Sequence, residues 1–230
     1  MKLSKRLNAI SCMITDGNSL ADIGTDHGYI PVYRAMNGLC PGALAMDVAK
    51  GPLSRARENI ARYGVGDLVE TRLSDGLAGL GMGECESIVI AGMGGPLIIR
   101  ILTADIDKAH AATELILSPH SEVENVRIFL FENGFKIIAE DIVKDEGKYY
   151  FILKAVPGTM EKPEGVTYLF GQYLSQNKNE LMKEYLLSEK GLCEKIMDNL
   201  KANSDNETRI AEIKSRLNII REALLNYENS

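Results

Sequence analysis

The feature that most constrains this chain is an alternation of short apolar segments with amphipathic ones along residues 1–156. Five strand-like runs alternate with helical spacing, an order typical of a parallel sheet covered by helices. Two more strand-like runs, separated by a short polar turn, predict a closing antiparallel hairpin. The chain therefore predicts an α/β fold with a seven-stranded, Rossmann-like sheet. The predicted strands are residues 19–23, 43–47, 68–73, 87–91, 114–118, 135–143 and 149–155, and the predicted helices are 3–15, 30–36, 52–63, 96–102 and 122–133.

The composition changes after this region. Residues 157–165 contain Pro and Gly in turn-forming combinations, whereas residues 166–229 contain no Pro and many Lys, Glu, Leu and Asn. Such a change is typical of a linker followed by helices. We therefore expect two domains, at residues 1–156 and 157–230.

An apolar 3-4-3-4 spacing near the end of the chain predicts a heptad seam and a C-terminal α-helical coiled-coil hairpin. The expected turn lies at 203–206, where Ser204 or Asp205 can cap the second helix. The hairpin either packs on the first domain, self-associates, or contacts a large substrate, and the sequence leaves these alternatives open. The predicted seam is Ile210, Ile213, Leu217, Ile220 and Leu224, facing Leu181, Tyr185, Leu192, Ile196 and Leu200.

Residues 20–28, Leu-Ala-Asp-Ile-Gly-Thr-Asp-His-Gly, end the first predicted strand in a tight glycine turn. Gly24 and Gly28 let a nucleotide-like ligand approach the backbone, and Asp22 ends the apolar run. A dinucleotide cofactor normally requires a glycine for its pyrophosphate where this chain has Asp26. A carboxylate there repels phosphate but suits a cationic, phosphate-free ligand. S-adenosylmethionine fits that description, so we expect Asp22, Gly24 and Gly28 to bind it; the alternative is a dinucleotide-dependent oxidoreductase.

Acidic residues also follow the next two predicted strands. Asp47 lies 25 residues after Asp22 (47 − 22), near the usual spacing of about 20 for a carboxylate that binds ribose hydroxyls. Asp75 follows the third strand and can accept a hydrogen bond from the amino group of adenine. We expect Asp47, Val48, Asp75 and Gly76 to bind the cofactor. The alternatives are a helix cap at Asp47 and an ordinary Ser-Asp-Gly turn.

A second glycine-rich loop follows the fourth predicted strand. Adjacent glycines allow a flat ring or a backbone to come close, although a tight strand-to-helix turn needs them too. We expect Ala91 and Gly92 to bind the cofactor. Met93, Gly94 and Gly95 are expected to contact the substrate.

Other site chemistries are absent from the sequence pattern. No His, Cys, Asp or Glu group has metal-ligand spacing, so no metal site is predicted. His120 follows the fifth strand and either borders the pocket or lies in a surface turn. The four cysteines are widely spaced, which predicts free thiols. The chain lacks an apolar run of membrane-spanning length and a signal-peptide core, so we expect a cytoplasmic protein that does not enter a membrane.

The charge distribution is uneven along the chain. The net charge is −6, but residues 1–62 contain eight Lys/Arg and five Asp/Glu, a balance of +3. An acidic protein can bind a polyanion through one basic face. Lys5 and Arg6 are the candidates for phosphate contacts, with a solvated helix face as the alternative.

Four motifs together resemble one protein family. They are Leu-Ser-Lys-Arg-Leu at 3–7, Asp-Ile-Gly-Thr-Asp-His-Gly at 22–28, Ile-Ala-Gly-Met-Gly-Gly at 90–95 and Gly-Lys-Tyr-Tyr at 147–150. Over nearly its whole length the chain resembles the bacterial tRNA (adenine-22-N1)-methyltransferases. The resemblance implies a class I methyltransferase fold with a coiled-coil domain. It also implies methylation of N1 of adenine 22 in the tRNA D-arm, with S-adenosylmethionine as donor.

The resemblance also implies roles for individual residues. Asp26 is expected to stabilise the cationic product or accept a proton from the amino group, and His27 to orient it. The chain departs from the family at Gly28, often alanine, and at His120, where asparagine is expected. We expect a monomer or weak homodimer. The alternatives are a methyltransferase for another nucleic-acid site or a small molecule, and a non-enzymatic scaffold using the helical tail.

Overall fold

The computed structural model describes residues 1–203 and 207–228 of the chain. The chain divides into two compact units, Met1–Lys162 and Pro163–Ser230. Within the described residues, no helix is both long enough and apolar enough to cross a membrane.

The first unit is built on a seven-stranded sheet, as predicted. Its strands are β1 (Leu20–Ile23), β2 (Ala43–Asp47), β3 (Val69–Leu73), β4 (Ser87–Met93), β5 (Glu114–Pro119), β6 (Phe135–Asp145) and β7 (Lys148–Pro157). The strand order is β3-β2-β1-β4-β5-β7-β6. β1 to β5 are parallel, and β7 is antiparallel to both of its neighbours. The order therefore reverses next to β1, where open α/β sheets bind ligands.

Helices cover the sheet, and this explains why its central strands do not alternate. Every residue of β1 and β5 is buried, and so are the first four residues of β4. Continuous burial is expected when both faces of a parallel sheet are covered. The helices of this unit are α1 (Lys5–Met13), α2 (Tyr29–Met36), α3 (Lys50–Tyr63), α4 (Gly95–Ala104), α5 (Ile106–Ala111) and α6 (Val123–Glu132).

The turn between β1 and α2 is held by local signals. Gly28 is the N-cap of α2 with φ 63°, and Gly24 has φ +72°, a left-handed region that glycine adopts without strain. The backbone N–H groups of Gly24 and Thr25 both donate to the carbonyl of Met46, each at 2.8 Å. These bonds tie the turn to the carboxyl end of β2.

Arg34 fixes α1 beside this turn. Its side chain is 1% exposed and donates to the carbonyls of Ser11 at 2.7 Å, Thr15 at 3.1 Å and Leu39 at 3.0 Å. A buried guanidinium needs such partners because an unpaired buried charge is costly. Arg34 therefore joins α2 to the C-terminal end of α1, the helix that carries Arg6.

The second unit is helical. It contains α7 (Gly165–Phe170), α8 (Gln172–Gln176), α9 (Glu180–Asn203) and α10 (Glu207–Glu228), and α9 and α10 pack together. Arg216 on α10 donates to Glu189 on α9 at 2.9 Å. Four of the five predicted seam residues on α10 are buried: Ile213, Leu217, Ile220 and Leu224.

The predicted facing stripe on α9 is wrong by one position. Leu192 is 53% exposed, and the buried side chains are Met182, Leu186, Cys193 and Met197. One residue rotates a helix face by about 100°, so these four side chains form the buried face in place of the predicted stripe. Asn203, the first residue of the turn predicted at 203–206, ends α9. The other three positions, with the capping candidates Ser204 and Asp205, lie outside the described residues.

Candidate functional site

A cavity of about 270 Å³ opens at the carboxyl ends of β1 and β4. The turn after β1, the end of β4, two helices and the loop after β5 all contribute to it. Its lining residues are Arg6, Leu7, Asp22, Gly24, Thr25, Asp26, Tyr29, Ile30, Ala91, Gly92 and His120. Five residues predicted to bind cofactor or act in catalysis thus share one cavity: Asp22, Gly24, Asp26, Ala91 and Gly92.

The glycines of the turn are required by close contacts. A Cβ atom on Gly24 would overlap the Cε of Met93, and one on Gly28 would lie 3.1 Å from the Cβ of Ala56 on α3. Met93 therefore lies against the turn that was predicted to bind cofactor. The space beside Gly24 admits only a hydrogen.

Asp22 is the buried acid of the cavity. It is 7% exposed, and its Oδ2 accepts a 2.6 Å hydrogen bond from the Thr25 hydroxyl. Burial raises the pKa of Asp22 to about 6; the Thr25 bond opposes this and the nearby Asp47 adds to it. A cation beside this carboxylate would offset the cost of ionising it.

Asp26 is exposed and lines the cavity, whereas the adjacent His27 is half-buried and does not line it. Asp26 Oδ1 accepts from Arg55 Nη2 at 2.9 Å and lies 3.5 Å from His27 Nε2. The His27 ring stacks on Tyr29, with centroids 5.0 Å apart, and its carbonyl accepts from Asn59 at 2.9 Å. His27 has φ 64°, which is uncommon for a residue with a side chain. The two candidate catalytic residues are thus adjacent, with Asp26 paired to Arg55 of α3.

Asp47, Val48, Asp75 and Gly76 do not line the cavity; they lie at the carboxyl ends of β2 and β3, on the same edge of the sheet. Asp47 ends β2, and its Oδ1 accepts the backbone N–H of Ala49 at 2.7 Å. Val48 is 66% exposed, an unusual position for a valine. Asp75 is exposed just beyond β3, and Gly76 has φ +57° with Ile101 3.0 Å from its Cβ position.

The opposite wall of the cavity carries a cluster that the sequence did not predict as a unit. Arg6 Nη1 donates to His120 Nε2 at 3.2 Å. The Tyr150 ring lies edge-on to His120 at 5.3 Å and 5.1 Å below the Arg6 guanidinium. A Cβ on Gly92 would make only an ordinary contact, 3.5 Å from Arg6 Nη1. Glycine is favoured there by the backbone, because Gly92 has φ +81°.

The hydrogen bond defines the protonation of His120. Arginine is always a donor, so His120 Nε2 must be the acceptor and its ring neutral. Burial lowers the pKa of His120, and the positive charges of Arg6 and Lys148 lower it further. Asp145 adds a second anchor for this wall, because its Oδ2 accepts the backbone N–H of Arg6 at 3.1 Å.

The remaining predicted substrate residues lie elsewhere. A Cβ on Gly95 would come within 2.7 Å of the Ser121 carbonyl oxygen, and one on Gly94 within 3.1 Å of the Ser121 hydroxyl. Both glycines therefore allow α4 to start against the loop after β5. Lys5 is exposed on α1. Across the described ranges, no group of three or more His, Cys, Asp or Glu is arranged to hold a metal ion.

Comparison with known proteins shows the family of this chain. A model described as a methyltransferase domain matches residues 3–153. The chain is 32% identical to the tRNA (adenine(22)-N(1))-methyltransferase of Bacillus subtilis (strain 168), over 97% of this chain and 98% of that one. The chain belongs to the tRNA (adenine(22)-N(1))-methyltransferase family. This confirms the resemblance seen in the motifs.

Solved structures of family members share the whole fold. The B. subtilis M1A22 tRNA methyltransferase TrmK superposes with a TM-score of 0.88 at 31% identity, covering 97% of this chain and 99% of that one. M. capricolum TrmK, solved with S-adenosyl-homocysteine, gives 0.86 at 28% identity, with 98% and 99% covered. Streptococcus pneumoniae Sp1610, solved with S-adenosyl-L-methionine, gives 0.89 at 30% identity, with 97% and 100% covered.

Sequence reasoning missed part of the cavity. Thr25 and Tyr29 line the cavity but were not predicted as site residues. Nor was Tyr150, which contacts Arg6 and His120. For His120 the sequence analysis kept two alternatives, the border of the pocket and a surface turn. The sequence did contain a signal for His120, because this residue directly follows a parallel strand, at the edge of the sheet where the predicted cofactor-binding carboxylates lie. Tyr150 had none, since only the pairing of β7 with its neighbours brings it to this wall.

Proposed function

We propose that this protein transfers a methyl group from S-adenosylmethionine to N1 of adenine 22 in the D-arm of tRNA. The observation that carries the proposal is the cavity beside the glycine turn, where the buried carboxylate of Asp22 lies next to Gly24 and Gly92. Family membership supports the same activity, as do the relatives solved with the donor or its product.

The residues present fit this donor. Among the described residues, Asp22 has a hydroxyl and not a cation as its hydrogen-bond partner, and the donor's ammonium group supplies the cation. Gly24 presents backbone without a side chain to the cavity, in a left-handed conformation that glycine adopts without strain. Asp47 would bind the ribose hydroxyls. The exposed side chain of Val48 would pack on the adenine, and Asp75 would accept from its amino group.

Transfer needs little acid or base chemistry. The donor supplies an electrophilic methyl group; the lone pair of N1 forms the new N–C bond as the C–S bond breaks, and the adenine becomes cationic. The protein must hold N1 in line with that carbon. We assign Asp26 to stabilise the positive adenine, with Arg55 and His27 fixing the position of its carboxylate. A base inside a paired stem must first leave the stack.

We assign the contacts to the RNA to α1 and to the end of β4. Arg6, held by His120 and Tyr150, would bind a backbone phosphate near the target base, and Lys5 would bind a second. Met93, at the end of β4, would contact the base. Gly94 and Gly95 would contribute only through the loop they allow.

The wider assignments follow from this activity. We propose that residues 1–156 form the S-adenosylmethionine-binding domain and residues 157–230 a helical coiled-coil domain. We also propose a cytoplasmic protein that acts on tRNA as a monomer or weak homodimer. Size-exclusion chromatography with light scattering tests the last assignment: a mass near 25 kDa is expected at micromolar concentration, and a stable larger assembly contradicts it.

The activity is tested with two tRNA transcripts that differ at one nucleotide. Unmodified tRNA with adenine at position 22 should take up labelled methyl groups to near one per molecule, whereas the same tRNA with guanine 22 should not. An Asp22→Ala variant should lose transfer, while the exposed Asp67→Ala variant at the other end of the sheet should keep it. Equal labelling of both transcripts, or none of either, would contradict the proposal.

A further inference from the structure

A second groove of about 370 Å³ adjoins the cavity. Leu7 and Tyr29 line both, so the two openings are neighbours. The far side of the groove is formed by Lys2 ahead of α1 and by Arg62 and Tyr63 at the end of α3. Its volume lies within the range of about 300–1,000 Å³ typical of ligand clefts.

The charge of the groove differs from that of the cavity. Lys2 and Arg62 are exposed cations, and among the described residues no Asp or Glu lines the groove. The neighbouring cavity carries both signs, with Asp22 and Asp26 beside Arg6. The groove therefore suits an anion.

Aromatic and amide groups accompany these cations. The Arg62 guanidinium lies 5.6 Å from the centre of the Tyr63 ring, and the Tyr29 ring is stacked on His27. Asn59 also lines the groove and donates a hydrogen bond to the His27 carbonyl at 2.9 Å. Aromatic rings beside Arg or Lys are the combination that binds unpaired nucleotides by stacking and phosphate contact.

We propose that this groove binds the nucleotide next to the target adenine in the RNA chain. Lys2 and Arg62 contact the phosphates on either side of that nucleotide, and its base lies against the tyrosine rings. The inference rests on the proposed function, since it needs a flipped adenine in the adjoining cavity. A neighbour joined by one phosphodiester must lie close to that adenine, and the groove adjoins the cavity at Leu7 and Tyr29, which line both.

The test compares two double variants of equal charge change. Lys2→Ala with Arg62→Ala removes both groove cations, and Arg57→Ala with Lys136→Ala removes two exposed cations that do not line the groove. The dissociation constant for tRNA is measured by fluorescence anisotropy at several salt concentrations, beside methyl transfer and S-adenosylmethionine binding. The groove variant should bind tRNA at least tenfold more weakly, with unchanged donor affinity.

The salt dependence is the sharper readout. Losing two phosphate contacts to unpaired RNA should lower the slope of log affinity against log salt by about 1.4, or about 0.7 per phosphate. The control pair should change affinity less than twofold and leave the slope unchanged. Equal effects of the two double variants would overturn the inference. Direct binding separates the claims: wild-type protein that binds tRNA through these cations without methylating it refutes the proposed function alone.

Discussion

Asp22 gives the proposed donor site a titration that binding measurements can detect. Its pKa in the free protein is about 6, because burial penalises the carboxylate. The ammonium group of S-adenosylmethionine interacts favourably only with the ionised form. Binding below pH 6 must therefore release a proton, and affinity should fall as the pH falls.

The size of the effect follows from that pKa. With a value of about 6, roughly nine-tenths of Asp22 is protonated at pH 5 and roughly one-tenth at pH 7. The dissociation constant should therefore rise about tenfold from pH 7 to pH 5, or about 1.4 kcal/mol. Close to one proton should be released per donor bound at pH 5, and about 0.1 at pH 7.

Isothermal titration calorimetry in two buffers of different ionisation enthalpy measures both quantities. Asp22→Asn is the control, since it keeps an acceptor for the Thr25 hydroxyl but does not titrate. The variant should bind the donor more weakly at pH 7 and show no proton release at pH 5. Flat affinity for the wild type between pH 5 and 7, or equal proton release by the variant, would refute the role of Asp22.

Three further outcomes are expected. The folded-state pKa of Asp22 is raised, so its contribution to stability is full below its ordinary value of 3.8 and is lost as the pH rises through about 6. In thermal or urea unfolding at pH 8 without ligand, Asp22→Asn should therefore be up to about 3 kcal/mol more stable than wild type. Equal stability of the two proteins would contradict this. Asp47→Ala should weaken donor binding about tenfold by calorimetry through loss of a charged hydrogen-bond acceptor, whereas Asp67→Ala should not. With saturating donor, wild-type kcat/KM for tRNA should fall as acid protonates His120 below pH 6.5 and breaks its bond to Arg6. The His120→Asn variant should not show this fall of kcat/KM at acid pH. Identical pH profiles of the two proteins would contradict a positioning role for His120.

The sheet was predictable because its signals are local. The strands β1, β2 and β4 are short apolar runs that end at glycine or an acid, and the polar turn before β7 marks the hairpin. The short helices α5, α7 and α8 were not predicted, since five or six residues are too few to display a helical period. The buried face of α9 was misassigned by one position because three of its four buried side chains are Met or Cys, beside Leu186.

The candidate site also contains a part that could be predicted from the sequence and a part that could not. The turn from Asp22 to Gly28 is one contiguous segment, so its glycines and acids were found together. The Arg6–His120–Tyr150 wall joins three elements, with 114 positions between Arg6 and His120, and only the folded chain brings them into contact. Gly94 and Gly95 have the composition of a ligand loop, but the contacts of their Cβ positions are with the loop after β5.

A crystal structure of this protein with S-adenosylmethionine bound tests the central claim most directly. The account predicts the ammonium group beside Asp22, the ribose hydroxyls on Asp47 and the adenine amino group on Asp75, with the methyl group facing the Arg6 and Gly92 side of the cavity. Donor bound away from these three carboxylates, with its methyl group outside the cavity, would contradict it.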